Sequence, residues 1–274
     1  MKKIKIINII SYIILISGVI VTLLPFIWMI STSLKHPGAV YEMPPKLIPS
    51  SFQWDNYSEI VRRVPIKTYF FNSVFVAFMV TAGTLITSIL AAFAFSRLKF
   101  WGRDIIFSIL LGTMMVPGEM LIAPNFVTLS KLHLINTMPA LYVPWLTSVF
   151  SIFLLRQFFL TVPEELYYAA KVDGCSDFKY LVKIMVPFAK PALITIALLK
   201  IINSWNEFLW PLLMTSTPEM RTLPVGLTNF MTEAGAKYNL LMAYSSIVII
   251  PIIIIYITLQ KYIVQGVTRG GIKG

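Results

Sequence analysis

Residues 161–193 read TVPEELYYAAKVDGCSDFKYLVKIMVPFAKPAL, a polar stretch in an otherwise apolar chain, with a long hydrophobic segment on either side. Thr161 and Glu164 have the spacing of a capping box, in which hydroxyl and carboxylate each satisfy an orphan N–H of the first helical turn. The spacing predicts a short helix starting here. Glu164 and Glu165 fall at its positive dipole end, Leu166, Ala169 and Ala170 form one small apolar stripe, and Gly174 supplies the positive φ that ends a helix. Ser176 then caps a second short helix, which Pro187 and Pro191 break before the next apolar run. Lying between two greasy segments, this stretch is the part of the chain best placed to meet a soluble partner.

Working outward, composition decides the solvent. Of 274 residues 57% are hydrophobic and only 13% charged, and the mean hydropathy is +0.77, far from the balance of a soluble domain. The solvent is lipid. Apolar runs of about 20 residues, enough to cross roughly 30 Å of hydrocarbon, occur near 7–30, 70–95, 105–127, 140–158, 192–214 and 240–264. The expectation is an all-α polytopic membrane protein, a single domain with six transmembrane helices. The third run is the least regular, since Pro117, Gly118 and Pro124 stop or kink it near one membrane face.

Lys and Arg set the orientation. With both termini inside, the inner segments carry fourteen and the outer segments eight, with Lys200 inside a span; the outer cluster Arg62, Arg63, Lys67 opposes the trend. Residues 161–190 are then cytoplasmic. The net charge of +11 reads as this topology signal and not as nucleic-acid binding. Lys2 and Lys3 resemble the n-region of a signal peptide, but the apolar run continues through Trp28 without a cleavage site, so it reads as the first span. A single cysteine, Cys175, excludes an internal disulfide, and with His36 and His133 it makes no metal site. Gly266 and Gly271 have the separation of a phosphate-binding loop, but Ile272 stands where its lysine belongs. No nucleophile elbow, zinc motif or catalytic dyad is found. The expectation is a non-enzyme without cofactor or metal, whose energy comes from elsewhere.

The segment Pro163–Leu193 resembles the cytoplasmic signature loop of inner-membrane permeases in binding-protein-dependent ABC importers: a Glu-Ala-Ala triplet, a glycine, and a late Ile-x-Leu-Pro. The corresponding residues here are Tyr168, Ala169, Ala170, then Gly174, then Ile184, Met185, Val186, Pro187. Tyr168 replaces the triplet glutamate and Val186 the leucine. Ser204–Pro211 (SWNEFLWP), Pro218–Val225 (PEMRTLPV) and the tail from Gln260 are similar to the smaller permease subunit of the maltose-type carbohydrate family. The resemblance implies the type I ABC importer permease fold and a heterodimer with a sister permease. It further implies two cytoplasmic ATPase subunits, an extracytoplasmic solute-binding protein and a sugar substrate of the oligosaccharide class at the cell membrane. The loop 161–190 would be the coupling element, with Glu164, Glu165, Tyr168, Ala169, Ala170, Asp173 and Gly174 facing an ATPase. Tyr168 brings no charge to that contact, so Glu164 or Glu165 takes the role, the sister subunit keeps the glutamate, or Tyr168 packs on membrane-proximal helices.

Lys200, Asn203, Asn206 and Glu207 lie in or near the fifth run, where ionisable groups usually face a bundle interior or aqueous cavity. They are expected to border the translocation path or the sister subunit; the plainer alternative is a Lys200–Glu207 pair or interhelical hydrogen bonds. Trp205 and Trp210 read as aromatic-belt residues or as platforms for sugar rings. Segment 31–67 forms a small cap meeting the binding protein or is disordered, and the outer loop 215–239 enters the same contact or reaches the cavity. The basic tail 266–274 lies against the ATPase or anionic lipid. Two other readings share the architecture: an ABC permease for polyamines or another organic solute, and a secondary transporter, which requires internal repeats that the chain lacks.

Overall fold

The computed structural model describes residues 2–232 and 235–271, and for 2–7, 9, 232, 259 and 261–271 it describes the backbone alone. Residues 272–274 of the basic tail therefore lie outside the described residues. In chain order, α1 (Lys2–Ser33), α2 (Asp55–Arg63) and the unbroken α3 (Ile66–Arg97) come first. Next, α4 (Arg103–Thr113) and α5 (Ile122–Lys131) flank a 3-10 turn at Gly118–Leu121. α6 (Met138–Tyr142) continues through a 3-10 turn to Trp145 and precedes α7 (Val149–Leu160). α8 (Glu164–Val172), α9 (Asp177–Tyr180), a π turn at Leu181–Met185 and α10 (Val186–Phe188) form the polar stretch. α11 (Lys190–Asn206), α12 (Leu209–Met214) and α13 (Tyr238–Gly271) complete the series. The fold is helical apart from an antiparallel pairing of Met231–Thr232 with Gly235–Ala236, which the all-α expectation did not include.

Ile10–Ser33, Ile66–Arg97 and Tyr238–Thr258 are each long and apolar enough to cross a membrane. Three further segments qualify only as bent pairs: α4 with α5 at 94°, α6 with α7 at 45°, and the helices before and after Ala189 at 78°. The described residues thus carry three candidate spans, or up to six if each bent pair is one. The continuous helices expected at 140–158 and 192–214 are interrupted, and prolines are the cause. Pro144 offers no N–H to the Ala140 carbonyl and Pro211 none to Glu207, so each helix opens one turn earlier. The helix carrying the third run stops at Thr113, just before Pro117 and Gly118.

Two compact units are distinguished, Met1–Ile66 with Gly226–Pro251, and Lys67–Val225 with Ile252–Gly274. In the first unit, α1 exposes apolar residues on all sides from Ile10 to Ile27, as a lipid-facing helix requires. The segment after it is an ordered cap and not a disordered loop. Its hub is Asn56, buried, whose Nδ2 donates to the carbonyls of Ser33 (2.8 Å) and Lys35 (3.0 Å) and whose Oδ1 accepts from Asn239 Nδ2 (3.0 Å). Gln53 N–H bonds the Leu34 carbonyl at 2.9 Å, and Lys35 Nζ reaches both the Lys46 carbonyl (2.7 Å) and the face of Trp28 (4.3 Å).

In the second unit, α3 is the spine on which the broken helices lean. Backbone groups freed in an apolar interior must find partners, and α3 supplies them along its length. Asn72 Nδ2 donates to the carbonyls of Glu219 (2.7 Å) and Arg221 (2.9 Å), and Ser73 Oγ accepts from Leu223 N–H (2.8 Å). Thr84 and Thr87 donate to the carbonyls of Trp145 (3.1 Å) and Leu146 (2.8 Å) at the α6–α7 break. Gly83 permits this approach, because a Cβ there would sit 2.4 Å from Leu146 Cδ2. At the far end the buried Arg97 donates to the carbonyls of Phe159 (2.7 Å) and Val162, where α7 gives way to the polar stretch.

Candidate functional site

Two assemblies in the second unit carry the polar chemistry. The first is the loop around α8. Its helix starts at Glu164 behind Pro163, without a side-chain cap, so the predicted capping box does not form. Val162 and Pro163 displace the start by enough that Thr161 serves the preceding helix instead, donating to the Phe158 carbonyl at 2.8 Å. The other end matches the expectation. Gly174 has φ +72°; Cys175 N–H reaches the Ala170 carbonyl (2.8 Å) and Gly174 N–H the Lys171 carbonyl (3.0 Å), the paired bonds of a Schellman motif. Asp173 is the C-cap, with its N–H on the Ala169 carbonyl at 3.0 Å. Ser176 Oγ accepts from Lys179 N–H at 3.3 Å, capping α9 as predicted.

Three side chains lock α8 to α9. Tyr167 Oη donates to Asp177 Oδ1 at 2.7 Å, and Lys171 Nζ lies 2.7 Å from the same oxygen. These hydrogen bonds, Lys171 first and then Tyr167, hold the Asp177 carboxyl below its ordinary range. Lys171 is raised chiefly by its bond to Asp177, and Tyr167 by burial first and then by the carboxylate it serves. Tyr167 packs edge-on to the buried Tyr180, with ring centroids 5.1 Å apart, and rests with Ala170 and Cys175 on a core formed by Phe93, Leu155, Phe159 and Met185. The apolar stripe therefore splits. Ala170 turns inward, while Leu166 and Ala169 face out. Glu164, Glu165, Tyr168, Asp173 and Gly174 are exposed as well. Tyr168 does not pack on the membrane-proximal helices; Tyr167 does. With Val172 (88% exposed) and Phe178 (68%), Leu166 and Tyr168 give the loop an uncovered apolar surface.

The second assembly is a cavity of about 450 Å³ lined by Lys200, Asn203, Ser204, Asn206 and Glu207, with Val76, Val80, Leu141, Trp145 and Pro211. The structure brings together all four residues singled out in the fifth run. The Lys200–Glu207 pair does not form. Seven residues of helix separate them by roughly 10 Å, and Glu207 Oε1 instead accepts from Trp210 N–H at 3.2 Å, closing the break before α12. Within the described residues no hydrogen bond or ion pair engages the side chains of Lys200, Asn203, Ser204 or Asn206. Trp205 and Trp210 are neither belt residues nor sugar platforms. Both are buried; Trp205 packs edge-on to Phe70, and Trp210 lies 5.8 Å from Trp145 while its Nε1 donates at 3.0 Å to the Ala140 carbonyl that Pro144 leaves open. The loop after α12 is tied down by Asn136, whose Oδ1 accepts from Ser216 N–H (3.0 Å) and Thr217 N–H (3.1 Å).

Sequence reasoning missed Tyr167, Asp177, Ser204, Trp145 and the role of Arg97. Ser204 adjoins Asn203 and was open to the same argument. Tyr167 and Asp177 meet only because Gly174 reverses the chain, and Arg97 reads as a topology charge until its carbonyl partners are seen.

Residues 83–269 match the family described as binding-protein-dependent transport system inner membrane component. The arabinooligosaccharides transport system permease protein AraQ of Halalkalibacterium halodurans is 37% identical over 227 residues, 82% of this chain and 81% of its own length. The sulfoquinovosyl glycerol transport system permease protein SmoH of Agrobacterium fabrum is 34% identical over 92% of this chain and 89% of its own. Among solved structures, a chain of a bacterial ABC transporter involved in the import of the acidic polysaccharide alginate superposes with a TM-score of 0.82 at 26% identity, covering 94% of this chain and 96% of that one. The chain belongs to this family of ABC-transporter inner-membrane permeases.

Proposed function

We infer that this chain is one of two related permease subunits of an ATP-driven importer for sugars of the oligosaccharide class in the cell membrane. The carbohydrate transport systems to which its relatives belong support the substrate class. In this reading the chain crosses the membrane six times, the third crossing made by α4 and α5, the fourth by α6 and α7 and the fifth by α11 and α12, with both termini and the loop 161–190 on the cytoplasmic side. A sister permease completes the translocation path. Two ATPase subunits hydrolyse ATP, and an extracytoplasmic binding protein delivers the sugar.

The observation that carries the reading is the construction of the loop. The end of α8 and the start of α9 are closed by Gly174 and Ser176, and the Tyr167–Asp177–Lys171 lock ties the two helices together, while Glu164, Glu165, Leu166, Tyr168, Ala169 and Val172 are left outward. A small rigid body with an uncovered apolar face transmits a push; a floppy one absorbs it. Arg97 joins the loop's root to α3, which runs on to the cavity-lining Val76 and Val80. Lys200, Asn203, Asn206 and Glu207 border the path in this account. The test is uptake of a labelled arabino-oligosaccharide by proteoliposomes holding the complete transporter and its binding protein. ATP-dependent accumulation is expected; accumulation without the ATPase subunits contradicts the reading.

A further inference from the structure

The cavity beside α11 contains one charge without an answer. Lys200 lies within α11, partly buried, and lines the cavity without an ion pair or hydrogen bond within the described residues. The opposite charge in the same wall is not its counterion. The Glu207 carboxylate is about two turns away and already accepts the Trp210 N–H. The rest of the polar lining, Asn203, Ser204 and Asn206, is neutral and offers amide and hydroxyl groups suited to sugar hydroxyls. An ammonium in a membrane-spanning segment is costly to leave uncompensated and generally faces an anion or an aqueous path. A cavity of this size is in the range that holds a small ligand.

The geometry points to an oxyanion-bearing saccharide as the cargo that this cavity reads, with Lys200 as the residue that distinguishes it from a neutral sugar of the same size. This rests on the sugar-permease reading above and adds the charge of the substrate. The ammonium pairs with a carboxylate, sulfonate or phosphate on the sugar, and Asn203, Ser204 and Asn206 bond hydroxyls common to charged and neutral sugars. Removing the ammonium therefore acts on one class alone.

The test uses the whole permease and ATPase complex in nanodiscs, titrated calorimetrically with a glucuronic acid trisaccharide and with the matching glucose trisaccharide. Wild type is expected to bind the uronate more tightly. Lys200→Met is expected to weaken uronate binding by about tenfold or more and to abolish the preference for the uronate over the neutral trisaccharide, and Lys200→Arg to retain the preference. Equal affinity of wild type for the two sugars overturns the charge assignment while the sugar-permease reading stands; binding of neither overturns both. Equal losses for both sugars in Lys200→Met, or loss of complex assembly with sugar affinity intact in what remains, places Lys200 in structure or on the sister subunit and overturns the assignment.

Discussion

The loop 161–190 and the cavity wall 200–211 are both polar, both broken by proline, and built on opposite plans. The loop satisfies itself. The turn between its helices is closed by Gly174 and Ser176, Lys171 and Tyr167 meet at Asp177, and the apolar Leu166, Tyr168, Val172 and Phe178 stay uncovered beside the exposed Glu164 and Glu165. The cavity wall closes its backbone break through Glu207, lends the Trp210 indole to the Ala140 carbonyl, and leaves the side chains of Lys200, Asn203, Ser204 and Asn206 open within the described residues. A part that finishes its own hydrogen bonds keeps its shape under load. One that does not is waiting for something polar to arrive.

The largest expected break in that contrast is Gly174→Val. No atom lies within 4 Å of the added Cβ, so the penalty is conformational, a β-branched residue at φ +72°, about 1–2 kcal/mol or more. The Schellman closure is expected to open, uptake to fall by about tenfold, and ATP hydrolysis to persist uncoupled; uptake at the wild-type rate removes Gly174 from the coupling role. Next comes Thr87→Val, which leaves the Leu146 carbonyl without its side-chain donor at an expected loss of about 1–3 kcal/mol. Thermal unfolding of the purified complex reads it, and an unchanged midpoint indicates that water or a neighbour replaces the hydroxyl.

The same contrast was visible unevenly in the sequence. Gly174 and Ser176 announce themselves because the bonds they make are local, a few residues along the chain. The prolines gave away the irregular third run but not the breaks at 146–148 and Glu207, since Pro144 and Pro211 sit inside apolar runs long enough to pass for continuous spans. The four cavity residues were legible as misplaced polarity in a greasy helix. What stayed hidden was contact across the fold: Arg97 reaching Phe159 and Val162, Trp210 serving Ala140, and Tyr167 instead of Tyr168 turning inward. The capping box failed because its spacing is right but Pro163 starts the helix two residues too late.

Smaller effects sharpen the picture. Tyr167→Phe deletes one hydrogen bond inside the loop and is expected to cost about 1 kcal/mol, seen as faster amide exchange over 164–180 with the cavity helices unaffected. Asn203→Ala is expected to change stability by less than about 0.5 kcal/mol, because no bond within the described chain is lost, yet to reduce uptake several-fold; a large stability loss indicates a structural partner. Smallest is the pH response of the loop. The depressed Asp177 contributes stability that is fully present above the carboxylate's unfolded value near about 3.9 and is lost as pH falls through its lower folded value. The raised Lys171 contributes up to its unfolded value near about 10.4 and loses that as pH rises through its folded one. Loop protection is therefore expected to be flat from about pH 5 to 9, and a transition inside that range contradicts the lock.

The loop's side of the membrane and its partner are tested together by placing one thiol on α8. Cys175 is half-buried and serves poorly, so Val172→Cys in a Cys175→Ser background puts the thiol at an 88% exposed position near the end of the helix. A short bifunctional reagent is expected to join this residue to an ATPase subunit in inside-out vesicles. Labelling of the residue in intact cells by a membrane-impermeant maleimide, with no such crosslink, would contradict it.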